Sequence, residues 1–357
     1  MIGRVVKSSR MKVTKLREFS MDVRDASFLD QHSLALITPA ADVWRASVLS
    51  SGEELMFSGK DILHRVAERL VLDSTKQPRE IPKVAAELKP CHGGYPRLAT
   101  SDRPGWVVVN THDMVLVACR DASFLDAGPF SRRTAPEMRL LTWYWGEYYR
   151  HFDFSADGSW LALPVDGGCC MIFNMHDLTR RLVNVGDPYA WHPGHPTLFG
   201  FNRDGWLVSL DVTQPGLEPE ILYNLEYDSV TGNIDGIWVH PSGESCVTIS
   251  RDGWSWWQLK PFQLLSQGPI PGGQPQEFYT RPGIPRLAVD KGRSIWLGAL
   301  DTRQNWSWIE LPSQEVAKFS PSGRYMVTLG LLPTDNPWPM YPRSFARTAT
   351  LWEIETE

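Results

Sequence analysis

Apolar and polar positions alternate in three short runs between residues 152 and 174. Phe152 and Phe154 lead into the polar turn Ser155-Ala156-Asp157-Gly158, Trp160–Val165 leads to Asp166-Gly167-Gly168, and residues 169–173 follow. A period of two predicts strands, and the Asp-Gly steps predict the tight turns between them, because glycine takes the φ > 0 conformation such turns require. Three strands of one antiparallel meander cannot bury both faces alone, so the pattern predicts that the unit recurs.

It does recur downstream. Tyr189-Ala190-Trp191-His192-Pro193-Gly194 precedes residues 197–201 and Asp204-Gly205-Trp206; Ile237-Trp238-Val239-His240-Pro241-Ser242-Gly243 precedes residues 245–249 and Asp252-Gly253-Trp254. Looser copies run from Pro285 through Gly292 to Trp308, and from Val316 through Gly323 to Ile354. The turn glycines Gly158, Gly194, Gly243, Gly292 and Gly323 stand roughly 30 to 50 residues apart, the spacing of one four-stranded unit with variable loops. Before residue 150 the rhythm is degraded, in residues 25–48 and again in residues 97–118. The heptapeptide Arg-Asp-Ala-Ser-Phe-Leu-Asp occurs at residues 24–30 and 120–126 and reads as a repeat relic. One stretch breaks the period: Ile62, Leu63, Val66, Leu70 and Val71 recur at helical spacing, which predicts a short helix over 61–72 and a helical or irregular insertion over 61–90.

The turn sequences Phe154-Ser155-Ala156-Asp157-Gly158, His192-Pro193-Gly194, His240-Pro241-Ser242-Gly243 and Phe319-Ser320-Pro321-Ser322-Gly323, with the Asp-Gly steps at 166, 204 and 252, resemble the WD40 type of β-propeller repeat in degenerate form. The Trp-Asp dipeptide of that family is approached by Trp352-Glu353 and Leu210-Asp211, while its Gly-His dipeptide is not in its usual place. The resemblance implies an all-β fold, a single β-propeller domain over residues 1–357 with seven blades of four antiparallel strands. Five blades fall after residue 150 and two before it, and an N-terminal strand near residues 13–19 is expected to close the ring as the outer strand of the last blade.

Composition adds limits on chemistry. The formal net charge is −5 and no helical stretch approaches a membrane span, which predicts a cytoplasmic protein with no membrane contact and argues against nucleic acid as a partner. Five cysteines without a Cys-x-x-Cys pair suit a reducing compartment. No nucleophile elbow, phosphate loop, zinc-protease helix or dinucleotide fingerprint occurs, so no catalytic, cofactor or metal residue is assigned and the chain is read as not an enzyme. His192 and His240 occupy matching turn positions, which points to a role in the turn.

Sixteen tryptophans are the unusual feature. The clusters Trp143, Trp145 and Tyr148, and Trp254, Trp256 and Trp257, suit either packing between blades or a binding surface; alternation sends Trp254 and Trp256 to one face and Trp257 to the other, so at least part of the second cluster is expected between blades. The proline-rich stretch 331–347 interrupts the last blade and carries Trp338, Met340, Tyr341, Arg343 and Phe345, which suits a partner-binding loop or a lid on the protein's own surface. The function expected from this is a non-enzymatic scaffold binding other proteins of unspecified identity as a subunit of a multiprotein complex. The alternative is a propeller enzyme, or a binder of small molecules or carbohydrate, that uses a central funnel.

Overall fold

The structure, a computed structural model, describes residues 11–62, 97–101, 106–112, 115–120, 137–143, 152–165, 168–223, 234–250, 253–270, 277–290, 294–299, 307–312, 314–331 and 347–356. The described residues form seven four-stranded antiparallel sheets. Six take their strands consecutively: sheet I spans residues 25–57, II 97–143, III 153–183, IV 186–223, V 234–268 and VI 277–312. Sheet VII is different, with the order Met11–Glu18, Arg347–Thr356, Tyr325–Leu331, Gln314–Phe319. The chain divides into two compact units.

One unit comprises Met1–Glu18, Asn184–Gly330 and Thr350–Glu357, and so holds sheets IV, V, VI and most of VII. Its cores lie between successive sheets. Strand alternation directs Trp254 and Trp256 of strand Gly253–Leu259 onto Leu287 and Val289 of sheet VI, and Trp257 onto Phe199 and Leu207 of sheet IV. All three indoles are at least 92% buried, so this aromatic cluster is inter-sheet core. In sheet VII, Met11–Glu18 pairs with Arg347–Thr356 in a register that runs from Met11 opposite Thr356 to Glu18 opposite Thr350.

The other unit comprises Phe19–Val183 and Leu331–Ala349, with sheets I, II and III. Phe152, Phe154, Leu161 and Phe173 of the best-patterned repeat are buried against Trp106 and Val108 of sheet II. Buried Asp25 ties sheet I to sheet II by accepting the Leu98 N–H at 2.8 Å, and Thr100 donates to the Phe28 carbonyl. The segment after the first strand is pinned here too, since Phe19 N–H donates to the Ala349 carbonyl and Arg347 N–H to the Asp22 carboxylate.

Three readings of the sequence are sharpened. The strand expected at 13–19 runs Met11–Glu18. The first copy of the heptapeptide supplies the first strand of sheet I, Asp25–Phe28, and Arg120 of the second ends the third strand of sheet II, Val115–Arg120. Residues 121–126 of the second copy lie outside the described residues. Residues 59–62 are helical, while 63–90 of the expected insertion lie outside the described residues.

Candidate functional site

The repeated turns are built by short-range capping. In the turn at 155–160, Ser155 Oγ accepts the Trp160 N–H at 3.0 Å and donates to Asp157, which also takes the Ser159 N–H and hydroxyl. Burial pushes the Asp157 carboxyl up, but these hydrogen bonds outweigh it and hold the group below its ordinary value. Ser320 caps Tyr325 and Asn202 caps Trp206 in the same way. The turn carboxylates, including Asp157, are therefore spent on backbone, as Asp in turns normally is.

The two repeated histidines also serve turns. Nδ1 of His192 accepts the N–H groups of Gly194 (3.0 Å) and His195 (3.1 Å), which places the proton on Nε2, and that nitrogen meets the backbone of Gly243 in sheet V. Burial and the neighbouring His195 lower the His192 pKa, partly offset by the hydrogen bond to Gly243, so the imidazole is neutral at pH 7. His240 accepts the Ser242 N–H and packs on Trp238 and Trp256. A similar link joins sheets VI and VII, where Arg286 donates to the carbonyl of Gly323. Two indoles are held by threonines of the adjacent strand: Trp257 Nε1 donates to Thr248 (2.8 Å) and Trp352 Nε1 to Thr328 (2.7 Å).

Beside the His192 turn a solvent-open groove of ≈ 690 Å³ separates sheets IV and V. Its walls come from the turns joining first to second and third to fourth strands. Sheet IV contributes His192, His195, Phe199, Asp211, Leu217, Glu218, Glu220 and Leu222; sheet V contributes Gly243, Glu244, Gln258, Leu259 and Lys260. Phe199 and Leu259 are buried, whereas Leu217 is 48% exposed. Four carboxylates thus face one ammonium, with a neutral imidazole beside them. Asp211 is occupied by Thr213 and Gln214 of its own turn. Lys260 stands 3.9 Å from Glu220, both well exposed.

Among the described residues, no group of three or more His, Cys, Asp or Glu is arranged to hold a metal ion. Cys246 is buried and its thiol is pushed up to about 12, so it is inert at neutral pH. No helix among the described residues is long and apolar enough to cross a membrane.

Of the residues proposed from sequence as a binding surface, Trp143 ends the fourth strand of sheet II (Glu137–Trp143) opposite Val115. Trp145, Tyr148, Trp338, Met340, Tyr341, Arg343 and Phe345 lie outside the described residues. The groove itself was missed. Its only sequence signal was the polar stretch Gly216-Leu217-Glu218-Pro219-Glu220, which reads as an ordinary loop until the fold sets it beside Glu244.

No protein-family model matches the chain, and no curated protein matches it. Solved structures do match. The β-propeller domain of Cps50 (Swd1) from Myceliophteria thermophila aligns with a TM-score of 0.59 at 11% identity, over 96% of this chain and 99% of that one. At that identity the likeness concerns the fold, an all-β propeller built of four-stranded antiparallel blades.

Proposed function

We propose that this β-propeller is a non-enzymatic scaffold that presents its turns and inter-blade surfaces to other proteins as a subunit of a larger assembly. The seven four-stranded sheets are read as seven blades of one ring, with Met11–Glu18 as the outer strand that closes it. The observation that carries the reading is the groove between sheets IV and V: it is open, joins exposed carboxylates to an apolar floor, and is framed by turns whose other polar groups already hold backbone. A surface of that make-up binds without catalytic groups.

Purification of the full chain with its native partners, followed by mass spectrometry, tests the reading. Stoichiometric co-elution of other proteins is expected. A chain that elutes alone and turns over members of a substrate panel overturns it. The proline-rich stretch is a second contact in this proposal: deleting residues 336–345 is expected to abolish partner capture while leaving the melting temperature nearly unchanged. A large fall in melting temperature would assign that stretch to packing instead.

A further inference from the structure

We propose that the groove between sheets IV and V takes an extended basic segment of a partner protein, one that carries arginine or lysine on either side of an apolar residue. This rests on the scaffold reading and names the chemistry of what one of its surfaces holds.

Charge is the first argument. Asp211, Glu218, Glu220 and Glu244 face the groove against Lys260. His192 adds no positive charge, because its Nδ1 is committed to two backbone N–H groups. The carboxylates of Glu218 and Glu244 have no hydrogen bond or ion pair to any described residue; Glu244 is held only through its backbone, to Ser242 and Leu259. Glu220 has only an exposed contact with Lys260 at 3.9 Å, which an incoming cation displaces at small cost. A guanidinium suits such a set, since its planar fork engages carboxylates two N–H groups at a time. A phosphate backbone would be repelled.

Shape is the second. Phe199, Leu222 and Leu259 supply an apolar floor between the charges, so the occupant must carry apolar and cationic groups in alternation. The volume of ≈ 690 Å³ lies within the roughly 300–1,000 Å³ of sites that enclose a small ligand or a few residues. Strand Glu220–Tyr223 borders the groove and is an edge strand of sheet IV. Its outer backbone edge offers N–H and C=O groups to an extended chain, the arrangement that favours a strand-like segment over a helix.

The test uses the full chain and two fluorescein-labelled pentapeptides, Arg-Leu-Arg-Leu-Arg and Glu-Leu-Glu-Leu-Glu, titrated by fluorescence anisotropy at low salt. Saturable binding of the basic peptide alone is expected. Glu218→Lys with Glu244→Lys is expected to weaken it about tenfold, the effect of reversing two exposed charges that each contribute under about 1 kcal/mol. The double change Glu53→Lys, Glu54→Lys on exposed positions of sheet I alters net charge equally and is expected to leave affinity within about twofold. Absence of saturable binding, or equal weakening by the two pairs of substitutions, overturns the proposal.

The scaffold reading fails separately, in the co-purification experiment with the unmodified chain. If that chain captures partners and the Glu218→Lys, Glu244→Lys chain captures the same set, the scaffold stands and the groove assignment falls.

Discussion

Two glycines show how much a single residue can mean in this chain. Gly205 and Gly243 both sit at positive φ, +78° and +73°, where a side chain is strained. A Cβ on Gly205 would meet nothing within 4 Å, whereas on Gly243 it would stand 2.0 Å from His192 Nε2. Gly205→Ala is therefore expected to cost about 1–2 kcal/mol from backbone strain alone. Gly243→Ala is expected to cost roughly 1–3 kcal/mol more by overpacking, because the imidazole is anchored by two hydrogen bonds and cannot swing aside freely. Denaturant melts of the two variants check the difference. The sequence showed two turn glycines; only packing between sheets distinguishes them.

His192 also carries a pH dependence. Its folded pKa is depressed, so below the unfolded value of about 6.5 the unfolded chain binds a proton that the folded chain refuses. Its contribution to stability is intact above that value and falls as pH drops from there toward the folded pKa. Melting temperature is expected to decline between pH 7.5 and 5.5, with a shallower decline in His192→Asn. Asparagine keeps an acceptor for the turn, as Asn202 does for Asp204 and Trp206, and does not titrate. Identical slopes in the two proteins would remove His192 from the explanation. Asp157 acts at the acid end: its depressed pKa leaves its hydrogen bonds intact above about 3.8 and lost only as pH falls through the folded value.

Among the elements, Met11–Glu18 has a thermodynamic role out of proportion to its own burial. Most of its side chains are exposed or half-exposed, yet it covers one edge of Arg347–Thr356, a strand with buried Leu351 and Ile354. Removing residues 1–18 is expected to lower the melting temperature and to produce concentration-dependent association, read by size-exclusion chromatography at two loadings, because an uncovered apolar strand edge recruits other chains. An unchanged melt and a single monomer peak would show that the edge needs no cover. Elements differed in how well the sequence disclosed them. Strands such as Trp160–Val165 and Ser245–Ser250 were legible because each is a short, largely buried run that begins at a turn capped by a side chain. The repeated heptapeptide was uninformative: of its second copy only Arg120 is described, ending a third strand, whereas Asp25–Phe28 of the first copy form a first strand.

For the molecule as a whole, the division between sequence and tertiary structure follows the range of the interactions. Alternation, Asp-Gly turns and their spacing are local, and they were enough to predict an all-β fold of repeated four-stranded units without a family match. They also foretold that Trp254 and Trp256 would part from Trp257, because strand geometry alone sends them to opposite faces. What the sequence could not state is which residues meet across sheets. Glu218 and Glu244 are distant in the chain and unremarkable in isolation, yet strand pairing within sheet IV and packing against sheet V place both on one groove. His192 reads as a turn residue in either view, but only its burial against sheet V, together with His195, lowers its pKa, against the opposing effect of the hydrogen bond to Gly243. Local patterns set the unit because each strand's hydrogen bonds and burial depend on near neighbours. The candidate binding surface was decided by the packing of sheet IV against sheet V, where contacts join segments that no short period relates.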